Sequence, residues 1–224
     1  MEAKAKKTRK AAPKTNVAAK IQDAYKTHLL THGAPPPSVF KFMQDWKMKE
    51  ADFYLYYGSF ATIESKIWES YIDDTVSALS KDEVYPEYSV REKLLAFYYT
   101  LIEALKQDRS FVLLSLKSLR KSPEISPAFM RGFKAKYFQF VQRMVQEGID
   151  SEEIVKRPLI SERYKDGLWL QLLFVLRFWC KDESAAFANT DAAIEKSVNL
   201  SFELMGRGPL DIMVDFAKFI YQTR

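Results

Sequence analysis

From position 17 onward, apolar side chains return every third or fourth residue, the spacing that lays them along one face of a helix. Val17, Ile21, Ala24, Tyr25, His28 and Leu29 mark a first helix over about 16–32, closed by Gly33. Pro35, Pro36 and Pro37 forbid helix, and Ser38 then offers a capping side chain for a second helix reaching about Trp46. A third short helix is predicted over 49–57, stopped near Gly58. A long fourth starts around Ser59, with Ile63, Ile67, Trp68, Tyr71 and Ile72 on one face. Beyond Pro86 the spacing predicts helices over about 89–107, 109–121, 127–147, 162–181, 187–205 and 209–222. The breaks between them fall at Asp108-Arg109, Ser122-Pro123, Gly148 to Pro158, Lys181 to Ser184, and Gly206 to Pro209. No segment alternates with the two-residue period of a strand, so the fold class is all-α.

One helix departs from the one-faced pattern. Leu168, Trp169, Leu170, Leu172, Leu173, Phe174, Val175, Leu176, Phe178 and Trp179 are apolar almost all the way round. Such a helix needs cover on both sides, from a second subunit or from the interior of one chain. Ile194, Val198, Leu200, Phe202 and Leu204 on the following helix supply a match, and the pair reads as a four-helix homodimer interface carried by Leu168, Leu172, Val175, Trp179, Ile194, Val198 and Phe202.

Charge alters the picture at one end. The net charge of +5 is set by the first twenty residues, where Lys4, Lys6, Lys7, Arg9, Lys10, Lys14 and Lys20 face Glu2 alone. The remainder is close to neutral. An Ala/Lys/Thr tail over 1–15 is expected to be disordered, and it either contacts nucleic-acid phosphates or serves solubility.

The chemistry the sequence lacks narrows the function. A single cysteine, Cys180, gives no disulfide framework and no thiol-rich zinc site, and a reducing cytoplasmic setting fits it. His28 and His32 stand four apart, a spacing two metal ligands can share, but no further histidine completes a site. One half-buried imidazole and one near a helix C-terminus is the plainer reading. There is no glycine-rich phosphate loop and no nucleophile elbow, and an apolar helix raises rather than lowers a thiol pKa. The chain therefore reads as a non-enzyme without cofactor or metal. Its most apolar run, Gly167 to Cys180, is too short to span a bilayer and contains Gln171 and Arg177.

Three short helices followed by a long one form a helix-turn-helix head on a larger body. Residues 21–63 in fact resemble the DNA-binding head of the tetracycline-repressor (TetR) family of bacterial transcription regulators. The first-helix pattern is met by Ile21, Ala24, Leu29 and Gly33, and the start of the second helix by Pro37-Ser38-Val39, with Phe42 in place of the usual isoleucine. Trp46-Lys47-Met48 occupies the turn where alanine-glycine-valine is typical. Phe53, Tyr54 and Tyr57 hold the leucine, tyrosine and phenylalanine places of the third helix. More loosely, residues 146–154 are similar to the family's glycine-containing loop, and Phe178-Trp179 with Lys181 to Ser184 to the join of its two dimer helices. The resemblance implies a helix-turn-helix DNA-binding domain over 16–60 and a helical ligand-binding and dimerisation domain over 61–224.

It also implies a homodimer that binds a palindromic DNA operator under control of an apolar or aromatic small-molecule effector. Lys41, Lys47, Lys49, Asp52, Tyr54 and Tyr56 are the candidate DNA-contact residues, tyrosine hydroxyls being able to donate to phosphate if they are not consumed in packing. Phe97, Leu101, Phe111, Phe133, Tyr137, Phe140, Trp169 and Leu173 are the candidate pocket lining, or else ordinary core. Two departures stand out: Phe60 sits where the family commonly has a lysine near the DNA backbone, and Glu50 and Asp52 open the third helix. Carboxylates facing a polyanion are unfavourable unless they turn away or accept from a cytosine amino group. The rival reading is a lipid- or partner-binding protein that kept the fold with a degenerate head. The amphipathic last helix docks on its own body, caps a partner subunit, or lies on a membrane surface.

Overall fold

The computed structural model describes residues 15–117, 129–158 and 160–223. Apart from Thr15, the basic tail over 1–15 lies outside the described residues, as do the ends predicted at 118–121 and 127–128 for two of the helices. Among the described residues ten α-helices follow one another: α1 (Thr15–His32), α2 (Val39–Asp45), α3 (Glu50–Tyr54), α4 (Phe60–Leu79), α5 (Val90–Gln107), α6 (Arg109–Lys117), α7 (Met130–Asp150), α8 (Tyr164–Trp179), α9 (Ala188–Met205) and α10 (Pro209–Gln222). Among the described residues there is no strand, as the periodicity predicts.

The caps are the ones the sequence offers. Ser38 Oγ accepts from the Lys41 amide at 3.2 Å and Ser59 Oγ from the Thr62 amide at 3.3 Å, each answering an amide that the first helical turn leaves open. Ser89 and Glu92 form a reciprocal capping box at the start of α5, with the Ser89 amide bonded to Glu92 at 2.8 Å. Gly33 ends α1 in the left-handed region, φ +70°, and its amide reaches Leu29 O at 2.8 Å.

One break is displaced. The sequence predicts an end to the helix at Gly148, but α7 runs on to Asp150. The glycine serves close approach: a Cβ there would lie 2.6 Å from Ile154 Cδ1, because the chain folds back and packs Ile154 onto the helix.

In the body α4 lies against both α5 and α7, and α8 and α9 pack on the opposite side, against α7 and α5 respectively. The centre is aromatic. Phe97 stacks on Phe140 at 4.2 Å between ring centroids, and Tyr137 lies 5.6 Å from Phe97 and 6.0 Å from Trp169. Tyr137 donates to Leu168 O at 3.0 Å, and the Tyr98 and Tyr137 hydroxyls meet at 2.9 Å, so two polar groups are accommodated inside the packing.

The structure divides the residues expected at the α8 and α9 interface between an inner and an outer face. Leu168, Leu172, Val175, Trp179, Ile194 and Val198, taken from the spacing as a face toward a second subunit, are buried within the chain, and Phe202 is partly buried against the same core. The two stripes of α8 are both apolar, so periodicity identifies stripes without saying which one meets the body. The stripe that faces outward contains Leu170 and Phe174, 58% and 49% exposed, opposite Leu200 and Leu204 of α9.

Candidate functional site

The head is held by aromatic packing with Phe60 at its centre. That ring stacks on Tyr25 of α1 at 5.6 Å and meets Phe42 of α2 and Phe53 of α3 edge-on, each at 5.4 Å. This accounts for the departure at position 60: the first residue of α4 joins all three helices of the head rather than offering a cation to a phosphate. Tyr57 is buried in the same cluster, and its hydroxyl donates to Ala18 O at 3.2 Å.

The turn between α2 and α3 is a Schellman motif, with the Met48 amide bonded to Met43 O at 2.8 Å and the Lys47 amide to Gln44 O at 3.0 Å. Lys47 occupies the left-handed position of that motif at φ +54°, the conformation for which glycine is the unstrained choice. The turn geometry survives a change of residue at its most constrained position.

The candidate DNA-contact residues lie on α2, on α3 and in the turns that follow them. Lys41, Lys47, Lys49 and Tyr54 are exposed, and Asp52 and Tyr56 are half-buried. Lys41 is engaged by Asp45 at 2.9 Å. Glu50 and Asp52 lie in the first turn of α3, where negative charge suits the helix dipole, which gives them a local reason to be there. Phe40, Trp46, Tyr54 and Leu55 of the same helices and turns are exposed by 60, 41, 57 and 74%.

The head and the far side of the body meet at the corner between α5 and α6. Asp108 accepts from Lys26 of α1 at 2.8 Å and from the Tyr71 hydroxyl of α4 at 2.9 Å. Its neighbour Arg109 points the other way, donating to Trp179 O at 3.2 Å, with its guanidinium 4.5 Å from the rings of Trp179 and Phe187. Two adjacent residues of opposite charge thus connect α1 and α4 to the end of α8.

A cavity of about 420 Å³ opens where α4 ends. Val76, Leu79, Tyr85, Phe140 and Met144 give it an apolar floor, and Lys93, Arg143 and Glu147 charge its wall. Lys93 is buried, ion-paired with Glu147, and 5.9 Å from the centre of the Tyr85 ring. Burial, with the Glu147 carboxylate beside it, pushes the Tyr85 hydroxyl up to about 12, so it stays a neutral donor at physiological pH. Of the pocket residues expected from sequence, Phe140 lines this cavity. Phe97, Leu101, Phe111, Phe133, Tyr137 and Trp169 are packed core, and Leu173 is half-buried against it. Lys93 and Glu147 were missed, being fifty-four residues apart on helices whose mutual register the sequence does not reveal.

A second, larger apolar groove of about 740 Å³ runs along the outward side of α8 and α9, lined by Leu170, Phe174, Phe178, Leu200 and Leu204, with Gln171 and Lys196 among its polar members. His28 and His32 stack at 4.1 Å, and among the described residues no cluster of three His, Cys, Asp or Glu side chains is placed to hold a metal. Among the described residues no helix is long and apolar enough to cross a membrane.

Compared with known proteins, residues 93–220 match the family model described as tetracyclin repressor-like, C-terminal domain, which is more than half of the chain. The protein belongs to the tetracyclin repressor-like (TetR) family. No curated protein matches it. Among the solved structures it resembles in fold are two from Rhodococcus. One is a protein of unknown function from Rhodococcus sp. RHA1, 11% identical with a TM-score of 0.58, covering 90% of this chain and 100% of that one. The other is a bacterial regulatory protein in the tetR family from Rhodococcus RHA1, 15% identical with a TM-score of 0.51, covering 85% and 97%. At such identities the likeness concerns fold, and the family model carries the membership.

Proposed function

We propose that the protein is a cytoplasmic, homodimeric transcription regulator whose paired heads bind a palindromic operator and whose body takes a small effector in the α4/α5/α7 cavity. The observation that carries this reading is the course of α4. One 20-residue helix begins with Phe60 inside the head's aromatic cluster and ends with Leu79 in the cavity wall. A ligand that shifts the far end of a rigid helix moves the head at the other. Because two half-sites must be met together, a small change in head separation alters DNA affinity by shifting the population of binding-competent dimers.

The lining of the cavity supports one class of effector. An apolar floor with Lys93 and Arg143 against the single carboxylate of Glu147 suits a molecule with an apolar or aromatic body and an anionic group, which would displace Glu147 from Lys93. Pairing of subunits through the outward α8/α9 groove buries the apolar surface left open there.

Lys41, Lys47, Lys49, Tyr54 and Tyr56 are the proposed DNA-contact residues, with Asp52 as a candidate acceptor from a cytosine amino group. The test is selection of DNA from a random pool at physiological salt. A palindromic consensus retained as salt rises supports the proposal, and binding without sequence preference that vanishes with salt refutes operator recognition. The exposed Phe40, Trp46 and Leu55 favour a second reading, in which the head binds a protein partner. That reading is preferred if the pool yields no consensus.

A further inference from the structure

The second helix of a helix-turn-helix pair is the one that enters the major groove, so the outward face of α3 decides which bases the head can read. Phe53 anchors that helix, fully buried in the head's aromatic cluster. Nearly opposite it on the helical wheel stand Ala51 and Leu55, four residues apart and therefore on one face. Ala51 is exposed and Leu55 is 74% exposed, with φ −69° and ψ −25° that carry the helical course one residue past Tyr54. The leading stripe of α3 is thus apolar. Asp52 and Tyr54 flank it, the one half-buried and the other exposed.

The donors that most often read guanine in the major groove are missing from this helix. Guanine presents two acceptors there, O6 and N7, and is met by arginine or lysine. No arginine occurs between Arg9 and Arg91, and residues 50–57 contain no lysine. Methyl groups and carboxylates stand there instead. Among the described residues no hydrogen bond or ion pair engages the Asp52 side chain, so its oxygens are open to a donor. In the major groove an apolar side chain finds the 5-methyl group of thymine, and a carboxylate accepts from the amino group of cytosine.

We infer that the head reads its operator through thymine methyl groups: Ala51 and Leu55 pack on them, and Asp52 accepts from the amino group of an adjacent cytosine. This readout rests on the operator binding proposed above and supplies its base preference. Attraction to the duplex has a different source. Lys47 and Lys49, both exposed, stand in the turn before α3 and suit DNA phosphates, and over residues 1–20 basic side chains outnumber acidic ones by seven to one. A half-site met in this way carries thymine and cytosine on the strand facing α3. Guanine in the same place would set its O6 and N7 against the Asp52 carboxylate, acceptor against acceptor.

The experiment uses full-length protein and the consensus duplex selected from the random pool, with binding read by fluorescence anisotropy at physiological salt. Deoxyuridine replaces single thymines, which keeps every hydrogen-bonding group and removes only the methyl. At the thymines that α3 meets, each replacement weakens binding about fourfold, the contribution of burying one methyl group, and the symmetric pair about 15-fold. Leu55→Ala weakens binding to the thymine duplex and loses most of this sensitivity, because the methyl's neighbour is gone, with circular dichroism as the check on folding. Asp52→Asn moves the preference at the adjacent position from cytosine to adenine, whose N6 and N7 an amide matches in two bonds. Duplexes that bind equally well with deoxyuridine at every thymine overturn the methyl readout and leave the regulator reading standing. A consensus without thymine, or a sensitivity that Leu55→Ala leaves unchanged, does the same. An Asp52→Asn protein with the wild-type preference overturns the cytosine contact. A pool that yields no consensus removes operator recognition and the methyl readout together.

Discussion

Replacing Tyr137 with phenylalanine removes one oxygen atom from the centre of the body, and the hydrogen-bond geometry gives the cost. Leu168 O can only accept, so the single proton of Tyr137 goes there, over 3.0 Å, and the proton across the 2.9 Å contact must come from Tyr98. In the Tyr137→Phe variant the fully buried Tyr98 hydroxyl loses its acceptor, a penalty of about 1–3 kcal/mol, and the bond to Leu168 is lost for about 1 kcal/mol more. Tyr98→Phe strands no donor and costs about 1 kcal/mol. The double variant removes the stranded hydroxyl, so it is less destabilised than the two singles summed. In a chain of this size each kcal/mol moves Tm by about 2–4 °C. Urea unfolding of the four proteins, monitored at 222 nm, reads the cycle directly. A Tyr137→Phe protein within about 0.5 kcal/mol of wild type, or an additive cycle, refutes the assigned proton order. Unchanged stability combined with altered effector affinity would return Tyr137 to the pocket-lining role that the sequence pattern suggests for it.

Lys47→Gly relieves a left-handed residue and is expected to raise stability by about 0.5–1 kcal/mol, the strain relieved exceeding the added freedom of the unfolded chain. If Lys47 also contacts a phosphate, the salt slope of DNA binding falls by about one in the same variant, and an unchanged slope removes it from the contact set. Gly148→Ala forces a methyl group against Ile154 Cδ1 and is expected to lose about 1–3 kcal/mol despite the better helix propensity of alanine, with Ile154→Val restoring part of it. Asp182 accepts from the Ser184 and Thr190 side chains, each at 2.6 Å, and from their amides, and these bonds hold its carboxyl down at about 2. A depressed carboxylate contributes stability above its unfolded pKa of about 3.9 and loses it as pH falls toward about 2. Acid titration of wild type against Asp182→Asn should show a shallower loss over that window in the variant, and superimposable profiles would dismiss the cap.

The sequence alone determined the order of the α-helices among the described residues, because each amphipathic period, serine cap and proline or glycine break acts over a few residues and needs no distant partner. Of the positions that bear the family resemblance, Ile21, Ala24, Leu29, Phe42, Phe53 and Tyr57 are buried, whereas Tyr54 is exposed. Phe60 looked like a lost phosphate contact and proved to be the ring that joins the head's helices, a role visible only once Tyr25, Phe42 and Phe53 stood around it. Tertiary structure alone decided which stripe of α8 and α9 faces inward, since a period fixes residues around their own axis and says nothing about what lies beyond it. The Lys93–Glu147 pair in the cavity and the Arg157–Asp211 pair between the loop before α8 and the start of α10 belong to the same class. Both bring together charges some fifty residues apart, and only the packing of one helix on another sets that distance.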